Sequence, residues 1–223
     1  MQIPVDFHLS IITLLVISIL CFLIAAYLLI KYINQDPRTH DTLYFISAMF
    51  VFGIRFILQV LWYSISDPIL NQLINASVTI LIVVAAFLIT TFFFSIYFKE
   101  NPKRFQIILA ITIVLVIIIC IIVAISPQSL MITTAGEYRY EYGDIIIIIA
   151  LVYLIPATFI NFGLFLYISI KKYEGRLRLK SILMAIGLII WVIAELLGPW
   201  SIFYMMDMAA LFIILIGFIL KKE

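Results

Sequence analysis

Charge is what this chain has least of. Only 12% of its 223 residues are Asp, Glu, Lys or Arg, while 66% are hydrophobic and the mean hydropathy is +1.26. So few polar side chains cannot cover the surface of a water-soluble domain, which excludes that class. Cysteine is scarce as well. Cys21 and Cys120 both lie inside apolar runs, so neither a disulfide framework nor a thiolate metal site can be argued, and both read as packing residues. No His/Asp/Glu constellation suits a metal, and His8 stands at the edge of an apolar run as a boundary residue. No lysine occurs inside an apolar run beyond Lys180 at the very edge of the sixth, and no internal repeat relates the two halves of the chain, which weakens an inverted-repeat transporter. The net charge of +2 carries no nucleic-acid message, because loop topology accounts for the basic residues. The leader Met1–His8 lacks a basic segment, so the first apolar run is expected to be a membrane span rather than a cleaved signal peptide.

What the chain does have is long apolar stretches, each near the ~20 residues a helix needs to cross the hydrocarbon core. Seven are legible: Leu9–Ile30, Thr42–Ser64, Ile74–Phe98, Phe105–Ile125, Ile145–Ile170, Leu179–Leu197 and Ile202–Leu220. The expected fold is all-α, with residues 1–223 forming one seven-helix transmembrane domain of a multi-pass cell-membrane protein. Orientation follows from the connections. Of 14 basic residues, 12 fall in the tails and loops of one side, Arg139 stands alone on the other, and Arg55 is within a span. That bias expects the N-terminus outside and the C-terminus in the cytoplasm.

Three ionisable residues interrupt the apolar pattern: Arg55 in span two, Glu195 in span six and Asp207 in span seven. A charge at that depth is costly and usually has a partner or a task. At 1.5 Å per residue, Arg55 lies ~20 Å and Glu195 ~24 Å from the cytoplasmic start of their spans, and Asp207 ~20 Å from the cytoplasmic end of its own. All three therefore reach one level in the outer half of the membrane. The short turn at Gly198-Pro199 makes spans six and seven neighbours, and contact with span two requires a closed bundle. Arg55, Gln59 and Trp62 share one face of span two, and this stripe must point at other helices. Trp191 shares a face with Glu195, and Tyr204 with Asp207, so these aromatics can wall a pocket. Two acids and one base in a low dielectric imply that one carboxyl keeps its proton, or that a bound cation or cationic ligand supplies the missing charge. The structural alternative is that Arg55 only cross-links helices and the aromatics only pack.

The remaining segments carry weaker signals. Span four is apolar all round and belongs at the lipid-facing periphery. Asp41 or Thr42 is placed to cap span two. Span three follows a short outer loop at Asp67-Pro68 and has a polar entry of Asn71, Gln72 and Asn75. Asn75-Ala-Ser77 matches a glycosylation acceptor but lies too near the membrane to serve as one. The outer loop Ser126–Asp144 alternates as Glu-Tyr-Arg-Tyr-Glu-Tyr, which suggests a small strand or hairpin edge, serving either as an interfacial cover or as a lid. Pro156 kinks or locally opens span five, with Asn161 about one turn further on. The most basic loop, 171–180, suits anionic lipid headgroups and offers a dock for a signalling partner.

Two stretches resemble known families. Phe203–Phe218, with Asp207 inside it, resembles the seventh helix of microbial rhodopsins, where Asp207 would match the counter-ion aspartate. The position that would hold the retinal-binding lysine is Leu211, so the resemblance implies a bundle without a retinal cofactor. Ile168–Leu188 resembles the fifth-to-sixth helix join of the seven-helix sensor regions found ahead of histidine kinases. Both resemblances imply a heptahelical, sensor-like fold.

The functional expectation is a non-enzymatic, receptor-like membrane protein. It would bind a small ligand or cation at the outward-facing cluster of Arg55, Glu195, Asp207, Gln59, Trp62, Trp191 and Tyr204, and act on a membrane or cytoplasmic partner through the basic inner loops. A proton- or cation-coupled transporter and a structural subunit of a larger membrane complex are the alternatives. Neither a Ser-His pair nor a protease-like aspartate pair occurs within the spans, so no enzyme is expected.

Overall fold

The computed structural model describes residues 7–34, 41–65, 67–132, 138–142, 144–171, 174–197 and 201–219. Among the described residues, the regular elements are helices and one hairpin. In chain order the elements are α1 (Phe7–Ile33), α2 (Asp41–Ser64), α3 (Pro68–Tyr97), α4 (Pro102–Ile125), β1 (Gln128–Ile132), β2 (Tyr138–Tyr142), α5 (Asp144–Lys171), α6 (Gly175–Leu197) and α7 (Ser201–Ile219). α1 to α4 are long and apolar enough to cross a membrane.

Three helix starts lie three or more residues earlier than the apolar pattern alone places them. Asp67 is the N-cap of α3, accepting a hydrogen bond from the Leu70 N–H at 2.9 Å, and Pro68 opens the first turn, where a missing N–H leaves nothing unsatisfied. The expected loop at Asp67-Pro68 is therefore the start of the helix, and Asn71, Gln72 and Asn75 lie in its first two turns. Asn101-Pro102 repeats the device at α4, with the Asn101 side chain accepting from the Arg104 N–H. α6 likewise begins at Gly175, whose φ of 55° is the left-handed conformation that glycine adopts without steric cost. Asp41 is in the first turn of α2.

The helices pack in a circuit. α1 lies on α2, α2 on α3, α3 on α5, α5 on α6, α6 on α7, and α7 returns to α1. The main core fills this circuit with fully buried Phe45, Phe56, Phe93, Met49, Leu14 and Ile214. α4 stands outside, held by α3 and barely touching α5, and buries only Val116, Ile119 and Val123. Its outer isoleucines remain exposed, as expected for a helix uniform in hydropathy on every side.

Two close approaches set the spacing. Ser18 on α1 donates to the Gly53 carbonyl on α2 at 2.9 Å, and a Cβ at Gly53 would meet the Phe22 ring at 2.7 Å. On α6, a Cβ at Gly187 would meet the Ala210 carbonyl oxygen of α7 at 2.9 Å. Such small-residue contacts draw helices together where the hydrophobic effect does not. The hydroxyls of Thr13, Thr90, Thr112 and Ser169 donate back to the carbonyl four residues earlier, at 2.6–2.8 Å, which keeps them satisfied in an apolar setting.

The alternating segment pairs with Gln128–Ile132 as an antiparallel hairpin, in register from Gln128 opposite Tyr142 to Ile132 opposite Tyr138. Gln128 fastens it to α3: its Nε2 donates to the Gln72 carbonyl at 3.0 Å, and its Oε1 accepts from Asn75 Nδ2 at 3.0 Å. Asn75 is thereby occupied and buried, which is unsuited to a glycan.

Candidate functional site

The stripe on α2 exists because Arg55, Gln59 and Tyr63 recur every four residues, and a turn of helix stacks them on one face. Arg55 and Gln59 are buried, 4% and 6% exposed, so the face points inward. The Arg55 guanidinium carbon lies 4.4 Å from the centroid of the fully buried Phe56 ring, a cation–π distance. Trp62, the third residue of the expected stripe, is half-buried against Tyr63, with ring centroids 5.1 Å apart. Its backbone carbonyl accepts from Asn71 Nδ2 of α3 at 2.9 Å, and the Ile65 carbonyl accepts from the same nitrogen at 3.0 Å. One α3 side chain thus closes carbonyls that the end of α2 cannot pair itself.

α7 answers with Tyr204 and Asp207, three residues apart on one face and 4% and 2% exposed. Gln59 Nε2 donates to the Tyr204 hydroxyl at 3.0 Å, and the Tyr63 and Tyr204 hydroxyls share a hydrogen bond of 2.7 Å. These bonds join α2 to α7 and fix their register. Moving inward from them, Arg55 is one turn back along α2 (~6 Å) and Asp207 just under one turn along α7 (~4.5 Å). For helices running in opposite senses, both steps point the same way, which puts Arg55 and Asp207 on adjoining levels.

α6 supplies Trp191, 2% exposed, whose ring lies on Phe52 of α2 with centroids 4.0 Å apart. α2, α6 and α7 therefore face one interior. The side chain of Glu195 and the Gly198-Pro199 turn lie outside the described residues. Two buried polar atoms at this interior, Gln59 Oε1 and Trp191 Nε1, make no hydrogen bond among the described residues. A buried acceptor and donor of this kind are costly unless complementary groups meet them.

Of the expected residues, the structure joins Gln59 to Tyr204 directly, buries Arg55, Asp207 and Trp191 among the same helices, and leaves Trp62 at the rim. Tyr63 was not among them. The signal for it is the continuation of the stripe at i+8 from Arg55, which Trp62 at i+7 obscures. Among the described residues no group of three or more His, Cys, Asp or Glu side chains comes together. Compared with known proteins, the chain matches no family model, no curated protein sequence and no solved structure.

Proposed function

We propose that this chain is a receptor-like, non-enzymatic membrane protein in which all seven helices cross the bilayer, the N-terminus is outside, and a small polar or cationic ligand binds between α2, α6 and α7. The observation that carries the reading is the buried Gln59–Tyr204 bond, which sets the register of two helices that each hold one intramembrane charge, Arg55 and Asp207. Gln59 Oε1 and Trp191 Nε1, without a hydrogen-bond partner among the described residues, add a hydrogen-bonding capacity for such a ligand. The orientation rests on the 12 basic residues of one side against Arg139 on the other. The basic inner segments, including Lys171 and Arg178, offer a cytoplasmic partner a place to dock.

Native mass spectrometry of the full chain after gentle extraction tests the reading. A co-purifying small molecule that is lost in Gln59→Leu is the expected result. A stoichiometric protein partner with no small molecule would make the chain a structural subunit instead. Substrate counterflow in liposomes would make it a transporter.

A further inference from the structure

A second polar feature lies apart from the α2–α7 interior. Because α4 leans on α3 and barely meets α5, a cleft of about 490 Å³ opens between these three helices, on the side where Val152, Ile160 and Leu115 stay exposed. Its walls include Thr90, Phe94, Thr112, Tyr153, Pro156 and Ala157, and carry no charged residue. That volume is within the roughly 300–1,000 Å³ of small-molecule sites.

Two buried side-chain atoms around this cleft have no partner among the described residues, and a proline deprives a third group of its helical hydrogen bond. Tyr153 is 8% exposed, lines the cleft, and its hydroxyl has no hydrogen-bond partner among the described residues. Asn161 spends its Nδ2 on Thr90 Oγ1 at 2.9 Å, while its buried Oδ1 has no partner among the described residues. Pro156 has no N–H to return to the carbonyl of Val152, and both residues line the cleft. In hydrocarbon each such group must be satisfied from within the protein or by an occupant.

We infer that the cleft binds a membrane-resident lipid with a single hydroxyl on an otherwise apolar body. A plain acyl chain fills the apolar walls but leaves the Tyr153 hydroxyl unanswered. A charged headgroup would meet no counter-charge on these walls, and Tyr153 sits ~14 Å along α5, too deep for an ion. A neutral hydroxyl both donates and accepts, so it can accept a hydrogen bond from the Tyr153 hydroxyl and donate its own to the Val152 carbonyl. This inference is independent of the α2–α7 site.

The test is photolabelling of the full chain in phosphatidylcholine liposomes. The probes are a diazirine-bearing long-chain primary alcohol and the same chain ending in a methyl ether. The alcohol should label residues 112–119 and 152–160 roughly fivefold more than the ether, the factor expected of one hydrogen bond. Tyr153→Phe should bring alcohol labelling down to the ether level without changing the melting temperature, and Ala157→Trp should abolish labelling by both. Equal labelling by the two probes, or alcohol labelling that survives Tyr153→Phe, would reduce the cleft to an acyl-chain groove and overturn the inference. Protection of the cleft from both probes, with crosslinks between two copies, would overturn it in favour of a self-interface. If Ala157→Trp does not fold, the comparison of Tyr153→Phe with the parent decides alone.

Discussion

The Tyr204 hydroxyl accepts from Gln59 and shares a hydrogen bond with Tyr63. Removing it takes that bond from the buried Gln59 amide and the half-buried Tyr63, and an unmet buried donor costs about 1–3 kcal/mol. Tyr204→Phe should therefore lower the unfolding free energy in a mixed-micelle denaturation by about that amount. Tyr63→Phe should cost less, because the Gln59–Tyr204 bond persists. Equal losses for the two variants would mean that Gln59 contributes nothing at Tyr204. The polar face of α2 was legible because Arg55 and Gln59 have no cheap place in an apolar helix except against other helices. Its partner was not legible, because the pattern within α2 says nothing about which residue of α7 stands opposite.

At the scale of the element, existence was easier to read than extent. The apolar runs marked every helix, and alternation marked the hairpin, because each follows from a period that the residues display. The starts of α3 and α6 were hidden by Asp67-Pro68 and Gly175. These read as loop chemistry, but in the structure they serve as the first turn of a helix and its cap. The close approaches at Gly53 and Gly187 were hidden as well, since a glycine in an apolar span carries no mark of what passes near it. They differ in consequence. A methyl at Gly187 would press on the Ala210 backbone oxygen, which cannot rotate away, whereas one at Gly53 would press on the mobile end of Phe22. Gly187→Ala should destabilise by about 1–3 kcal/mol, and Gly53→Ala by less, in the same denaturation assay. The reverse order would show that α6 and α7 are not held at the spacing described.

Across the whole molecule, the helix circuit and the outlying α4 place the polar interior among α2, α6 and α7 and the open cleft among α3, α4 and α5. The proposed orientation makes a direct prediction. With Cys21 and Cys120 replaced, a single cysteine placed at position 135 should react with an impermeant maleimide on intact cells, and one placed after Lys222 should react only once the membrane is opened. Reaction of both from outside would contradict seven crossings. Charge should join α2 to α7 as well as the Gln59–Tyr204 bond does. A double-mutant cycle of Arg55→Met and Asp207→Asn, read as unfolding free energy of the full chain, measures that coupling. Each single substitution should cost about 3–5 kcal/mol by stranding the other charge, and the double variant should recover most of the loss. Losses that simply add, or an Arg55→Met variant as stable as its parent, would contradict the paired-charge site between α2 and α7.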